Sequence, residues 1–252
     1  MKIIIIGGTG LIGSRVVELL AAHGHEAVAA SPNSGVNTIT GEGLAETLTD
    51  ASVVIDVSNS PSFEDQAVLD FFTTSTRNQL AAEHRAGVRH HVALSIVGAD
   101  RVPSSGYLRA KVAQERLIEE SGQPYSIVRA TQFYEFILAI ADSMTDDGTT
   151  RAPTALMQPM PAAEVSLAVA RVAEGEPING VLEIGGPERI GMDQMIRKAL
   201  AAAGDTRTVV SEQEATYFGA VLSSGELTTG PDAQLSATTF EDWRADRAAA
   251  VK

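Results

Sequence analysis

The segment KIIIIGGTGLIG, Lys2 to Gly13, limits the folds open to this chain more than any other. Lys2–Ile6 is a continuous run of β-branched residues, which predicts a strand buried on both faces. Helical spacing begins at Leu11 and runs to Ala22, with Leu11, Val16, Leu19 and Leu20 on one side and Gly24 as the stop. Between them stand Gly7, Gly8, Gly10 and Gly13, which fit both a Gly8-x-Gly10-x-x-Gly13 and a Gly7-x-x-Gly10-x-x-Gly13 pattern. In a strand–turn–helix setting such glycines allow a tight turn and remove the Cβ atoms that would block a pyrophosphate. The helix N-terminus adds backbone N–H donors and a partial positive charge. A plain turn would need one or two glycines rather than four. The turn, comprising Gly7, Thr9, Gly10, Leu11, Ile12 and Gly13, therefore reads as a dinucleotide cradle.

The alternation continues. HEAVAAS and ASVVIDVS read as second and third strands, and Glu64 to about Ala86 as a long amphipathic helix. HHVALSIVG reads as a fourth strand, Tyr107–Glu120 as a helix and YSIVRA as another strand. Strands separated by helices, without hairpin signals, require parallel crossovers that are almost always right-handed. The expected fold is α/β: a doubly wound parallel sheet of the Rossmann type over residues 1–130, with a smaller substrate-binding lobe over 131–252. That lobe holds a helix in FYEFILAIADSM, a proline-punctuated connection, helices near 164–174 and 192–203, and a strand GVLEIGG that returns to the sheet at about 178–186.

The end of the second strand selects the nucleotide. An NAD site places Asp or Glu about 20 residues beyond the glycines to bond the ribose 2′-hydroxyl. Here the position is Ala30, followed by Ser31, Pro32, Asn33 and Ser34. No carboxylate would repel a 2′-phosphate, and Ser31, Asn33 and Ser34 supply small donors. No arginine stands there either. The expected cofactor is NADP, with NAD admitted.

Charge narrows the partners. The net charge is −13, with 10 basic and 14 acidic residues over 1–130 and 9 and 18 over 131–252. Such a chain repels a phosphate backbone, so nucleic acid is not an expected partner, and no polybasic run suits an anionic membrane. There are no cysteines, which removes disulfides, thiolate nucleophiles and Cys-ligated zinc. Four isoleucines before glycine are too short for a signal-peptide core or a span. The expected setting is the cytoplasm, with a small-molecule substrate and with monomer and homodimer both open.

One spacing suggests chemistry. In SGYLRAKVAQE, Tyr107 and Lys111 stand four apart at the start of a helix, and the chain has only four residues of each type. Residues i and i+4 share a helix face. A phenol with a pKa near 10 is a poor proton donor at neutral pH, and a neighbouring ammonium is expected to lower it. Ser95, ending the fourth strand, can polarise a carbonyl as the second hydroxyl, with Ser104 and Ser105 competing from the loop.

Together GGTGLIG, the serine ending strand four, YLRAK and YSIVRATQFYEF resemble the short-chain dehydrogenase/reductases, in particular the atypical NmrA-like NAD(P)-binding branch. LMQPMPAAEVSLAVARV and LEIGGPERI extend the resemblance into the second half. It implies hydride transfer between NADPH and a small hydrophobic carbonyl or quinone. Tyr107 would be the proton donor, Lys111 would tune it and bind the nicotinamide ribose, and Ser95 would assist. It further implies that Ala130, Thr131, Gln132 and Phe133 approach the nicotinamide and that Val57, Ser58 and Asn59 line the adenosine side. Many members of this branch keep the lysine and lose the tyrosine, whereas this chain has both. Where a proline commonly follows the arginine, this chain has Ala130. The alternatives are a coenzyme-binding redox sensor without turnover and an epimerase or dehydratase.

Other candidates read as structural. His23, His25, His84, His90 and His91 lie mostly at the opposite strand ends and are expected at the surface rather than on a metal. Asp146 and Asp147 form an acidic turn, and Phe133, Phe136 and Ile140 keep helical spacing that serves a core as well as a substrate wall. No Gly-x-Ser-x-Gly elbow supports hydrolysis.

Overall fold

A computed structural model describes residues 1–250. In chain order the elements begin β1 (Lys2–Ile6), α1 (Leu11–Ala22), β2 (Glu26–Ala30), α2 (Leu44–Thr47), β3 (Val53–Asp56), α3 (Asp65–Ala86), β4 (His90–Ile96), α4 (Gly106–Glu119) and β5 (Tyr125–Ala130). The second half has α5 (Ile137–Ser143), β6 (Thr145–Asp146), β7 (Thr149–Ala152), β8 (Leu156–Met157), α6 (Ala162–Glu174), β9 (Gly180–Gly185), β10 (Ile190–Gly191) and α7 (Met192–Ala203). It closes with β11 (Thr208–Ser211), β12 (Thr216–Tyr217), β13 (Ala220–Val221), β14 (Gln234–Leu235) and α8 (Phe240–Ala250).

Seven strands form one sheet in the order β14-β9-β5-β4-β3-β1-β2. The β1–β2, β1–β3, β3–β4 and β9–β14 pairs run parallel. Ile3, Ile4, Ile5 and Ile6 are buried, as their unbroken apolar run requires, and so is every residue of β3. The chain leaves β1 towards β2 and returns on the other side of β1 as β3. That reversal is the switch point beside which ligands of such sheets bind.

The chain divides into two compact units. The first comprises residues 1–95, 106–129 and 163–182; the second comprises 96–105, 130–162 and 183–252. A single division at residue 130 does not describe them: the 96–105 loop belongs with the second unit, and α6 with the start of β9 belongs with the first.

In the first unit, α3 and α4 pack side by side along the sheet. Val68 and Phe72 of α3 meet Ala110 of α4. The buried stripe of α3 continues through Ser75, Thr76, Gln79 and Glu83, which are polar. In the second unit, β11, β7 and β6 make a three-stranded sheet, and β8 pairs with β10. The helix α8 is held by its aromatics. The Tyr134 ring lies 5.4 Å from both Phe240 and Trp243.

Candidate functional site

The turn after β1 is built as a cradle. Gly7 has φ +79°, and a Cβ there would come within 2.9 Å of the Ser58 backbone after β3. A Cβ on Gly8 would approach Ala29 to 2.7 Å, and one on Gly13 would run into the carbonyl of Gly7. These three glycines let β1, β2, the β3 end and α1 close on one another. Gly10 differs: an added Cβ would meet nothing nearer than 3.4 Å, and Gly10 and Thr9 are exposed at the α1 N-terminus. No acidic residue stands in the first turn of α1. The N–H groups of Leu11, Ile12 and Gly13 have no intrahelical acceptors, as in the first turn of any helix. Space, donors and dipole thus coincide at Gly10, which is what a pyrophosphate needs.

Beyond β2, the Ser31 N–H donates to Ser34 Oγ (2.9 Å), which donates back to Ser31 O (2.9 Å). The Ser31 hydroxyl is buried and makes no hydrogen bond, while Asn33 is exposed. At the end of β3, Val57 N bonds Ile6 O (3.0 Å), and Asn59 stands exposed.

Tyr107, in the first turn of α4, is half-buried between Phe63 and Phe72 at ring distances of 5.4 and 6.2 Å. Its hydroxyl donates to Asn59 Oδ1 at 3.1 Å. The phenol therefore reaches the loop after β3. Burial pushes its pKa up to about 12, only partly offset by the bond to Asn59. The expectation that Lys111 lowers it does not hold in this arrangement, because desolvation dominates.

Lys111 shares the helix but turns inward. It is 3% exposed, lies 4.3 Å over the Phe72 ring and donates to Leu94 O (2.9 Å) and to Gln114 Oε1. Burial pulls its pKa down to about 8 against the opposing charges of Asp56 and Glu115. The i, i+4 spacing is present, yet the ammonium is committed to the interior.

Sequence reasoning missed what holds it there. Asp56, 2% exposed, accepts from Ser58 N (2.9 Å) and Ser58 Oγ (2.6 Å) on Oδ1, and from Gln79 Nε2 and Gln114 Nε2 (both 3.0 Å) on Oδ2. A lone carboxylate ending the apolar run VVID was the available signal. Glu115 in turn takes both arms of Arg129, at 2.9 and 2.6 Å.

The remaining candidates separate. Ser95 is 3% exposed, and its hydroxyl has no partner. Ser105 is fully buried and Ser104 exposed. In the second unit, Ala130 O accepts from Val97 N (2.9 Å) and Thr131 Oγ1 donates to Gln158 O (2.6 Å). The Phe133 ring stacks on Phe136 at 5.6 Å. Gln132 is buried with neither amide atom bonded. In the first unit, the unpaired hydroxyls of Ser31 and Ser95 lie at or just past the C-terminal end of a strand, the side on which such sheets take ligands.

The histidine expectation is corrected. His90 and His91 are 3% and 0% exposed, because both faces of β4 are covered and adjacent residues point to opposite faces. His90 bonds Ser126 Oγ (2.8 Å), and burial with the His91 charge pushes it down to about 4. Burial also lowers His91, but the charge and hydrogen bond of Glu83, with Asp56, outweigh it and hold the pKa above its ordinary value. His23 and His25 meet Glu174 Oε1 at 2.8 and 3.0 Å. No cluster among the described residues could hold a metal ion, and none of their helices is long and apolar enough to cross a membrane.

The family model described as NAD(P)H-binding matches residues 7–174, well over half of the chain. The chain belongs to this NAD(P)H-binding family. The match begins at the glycine turn and is the class of ligand that turn fits. It also agrees with the reductase resemblance drawn from the motifs. Among curated proteins, (4-alkanoyl-5-oxo-2,5-dihydrofuran-3-yl)methyl phosphate reductase of Streptomyces griseus is 27% identical over 184 residues, 66% of this chain and 62% of that protein. Photosystem II assembly factor Ycf39 of Synechocystis is 24% identical over 152 residues, 55% of this chain. The chain spans about half of Ycf39, 47% of its length. Among solved structures, MoeE5 with UDP-glucose and NAD has a TM-score of 0.69 at 18% identity, covering 93% of this chain and 89% of that one. NADPH-dependent quinone oxidoreductase QOR2 of Escherichia coli, with NADPH, has 0.67 at 22%, covering 85% and 80%. These likenesses establish a common fold.

Proposed function

We propose that this NAD(P)-binding chain is an NADPH-dependent oxidoreductase acting on a small hydrophobic carbonyl or quinone in the cytoplasm. The observation that carries the reading is the Tyr107 phenol, half-buried among aromatics and bonded to Asn59, in the same unit as the glycine cradle. NADPH is preferred over NADH in this proposal because no carboxylate follows β2 and the Ser31 hydroxyl is unpaired. The reductase relative from Streptomyces griseus supports the reaction class.

When bound, the coenzyme supplies hydride. The work left to this chain is to orient and to move one proton. Ser95 donates a hydrogen bond to the substrate oxygen, on which negative charge builds. Tyr107, held as the neutral phenol by its raised pKa, gives that oxygen its proton after exchanging Asn59 for it. Lys111, fixed by Leu94 O and Gln114, anchors the helix that carries Tyr107. The test is NADPH oxidation across a panel of aldehydes, ketones and quinones by the unmodified protein and by Tyr107→Phe. Loss of about 100-fold or more in kcat with an unchanged NADPH Kd is expected. Equal turnover by the two proteins would refute the assignment.

A coenzyme-binding regulator without turnover is the second reading. It is favoured by the same two pKa directions: a phenol pushed up and an ammonium withdrawn to the interior. Tight NADPH binding with no oxidation on any substrate would select it.

A further inference from the structure

The loop after β3 carries a hydrogen-bond donor that the proposed reduction leaves unused. Asp56 Oδ1 clamps Ser58 N and Oγ, and the Ser58 backbone packs against Gly7, so the root of the loop is fixed. One residue further, Asn59 Oδ1 accepts from the Ser60 N–H (3.0 Å) as well as from the Tyr107 hydroxyl (3.1 Å). A backbone N–H can only donate, so Ser60 decides which end of the amide is oxygen, and it still holds that end when the phenol departs. Nδ2 is therefore the end left available beside the phenol, on an exposed residue and without a bond among the described residues. Phe63, 53% exposed, adds an apolar wall, its ring 5.4 Å from that of Tyr107. All of these residues belong to the first unit.

We propose that Asn59 is a specificity-determining residue that selects vicinal dicarbonyl compounds, holding the second carbonyl oxygen while the first is reduced. A carbonyl oxygen has two lone pairs, and in the proposed reduction Ser95 and Tyr107 fill both. Asn59 Nδ2 is then a third donor and needs an acceptor of its own. Nδ2 and Oδ1 share one carbon, and Oδ1 is where the phenol now bonds, so that acceptor has to sit next to the reacting carbonyl. Hydride goes to one carbonyl carbon and the Tyr107 proton to its oxygen, giving an α-hydroxy ketone and oxidised coenzyme, while Asn59 transfers nothing. A carboxylate in place of the second carbonyl is disfavoured, because Glu64 and Asp65 stand exposed at the end of the same loop. The proposal rests on the reading that the Tyr107 phenol meets the substrate oxygen.

Two rigid pairs test it, phenanthrenequinone with fluorenone and camphorquinone with camphor, one aromatic and one aliphatic. Only the first member of each carries the second oxygen. Their Kd values are measured by calorimetry on the parent, Asn59→Leu and Asn59→Asp, at saturating oxidised NADP so that nothing turns over. Leucine removes the whole amide, whereas aspartate keeps both acceptor bonds but has no N–H to give. The parent should bind each dicarbonyl more tightly than its partner. Both variants should narrow that preference about 3- to 10-fold in both pairs, the worth of one hydrogen bond. A ratio taken at saturating coenzyme is blind to any contact of Asn59 with adenosine, and either variant carries the comparison should the other not fold. No preference in the parent, or one that a folded variant leaves intact, overturns the proposal. So does a shift confined to the aromatic pair, which would belong to stacking on Phe63. NADPH oxidation tests the wider reading separately: selective binding through Asn59 without reduction of any dicarbonyl refutes Tyr107 as proton donor and leaves the binding site standing.

Discussion

Asp56→Asn is the sharpest probe of how this fold holds Lys111. The carboxylate accepts four hydrogen bonds and donates none. An asparagine can still accept from Ser58 on its oxygen, but its NH2 then faces the Nε2 donors of Gln79 and Gln114. Rotating the Gln114 amide to offer Oε1 instead would present Nε2 to the Lys111 ammonium, which Oε1 now holds. One substitution therefore leaves at least one buried donor unpaired and removes one of the two carboxylate charges, Asp56 and Glu115, that oppose the desolvation of a buried lysine. Each unpaired group costs about 1–3 kcal/mol, and breaking a buried charge pair about 3–5 kcal/mol. We expect a loss of about 3–5 kcal/mol, read as a melting temperature lower by roughly 10 °C or more. Urea unfolding of Asp56→Asn, Gln114→Leu and the double variant supplies the coupling. The two losses should be strongly non-additive, because both act on the same four groups. A single-variant cost within about 0.5 kcal/mol of zero, or strict additivity, would refute the network as the anchor of Lys111.

Three further outcomes follow from the geometry. Gly10→Ala should fold normally, within about 1 kcal/mol of the parent, yet lose at least about tenfold in NADPH affinity by titration, whereas Gly13→Ala should fail to fold or lose several kcal/mol because its Cβ meets the Gly7 carbonyl. The depressed Lys111 pKa makes stability rise with pH between about 8 and the unfolded value near 10.4, where only the unfolded chain keeps the proton. The raised Tyr107 pKa makes stability fall between about 10 and 12, where only the unfolded chain has lost its proton. Denaturant midpoints measured from pH 7 to 11 should show the rise vanish in Lys111→Met and the fall vanish in Tyr107→Phe. Ser31→Asp should invert coenzyme choice, lowering NADPH affinity by about tenfold or more relative to NADH in paired titrations, because a carboxylate repels a 2′-phosphate.

The fold was legible because its elements carry strong periodic signals. Leu11–Ala22 and Met192–Ala203 lie where the apolar spacing places them, α3, α4 and α6 differ by one or two residues at their ends, and the helix expected over FYEFILAIADSM begins only at Ile137, after a 3-10 turn. The two units were not legible as such. Their segments alternate along the chain, and nothing in the composition of 96–105 or 163–182 marks a change of allegiance. The glycine turn could be read because three of its glycines answer to backbone contacts that any side chain would violate. The Tyr107–Lys111 spacing reported a shared helix but not the course of a long side chain, which Gln114 and Asp56 decide. His90 and His91 misled because polarity suggested exposure, while their strand has a covered face on either side. The polar stripe of α3 hid for the same reason: Ser75, Gln79 and Glu83 are spaced as an apolar face would be.

The six alternating segments have a consequence for anyone wishing to dissect this protein. The polypeptide passes from one unit to the other five times, the last time inside β9 itself, between Leu182 and Glu183. A gene fragment stopping at residue 130 forfeits α6 and half a strand from the first unit, and its complement begins without residues 96–105. Recombining such a lobe onto a foreign scaffold means transplanting three separate stretches at once. A new specificity is more readily reached by point changes inside the intact chain than by exchanging its halves.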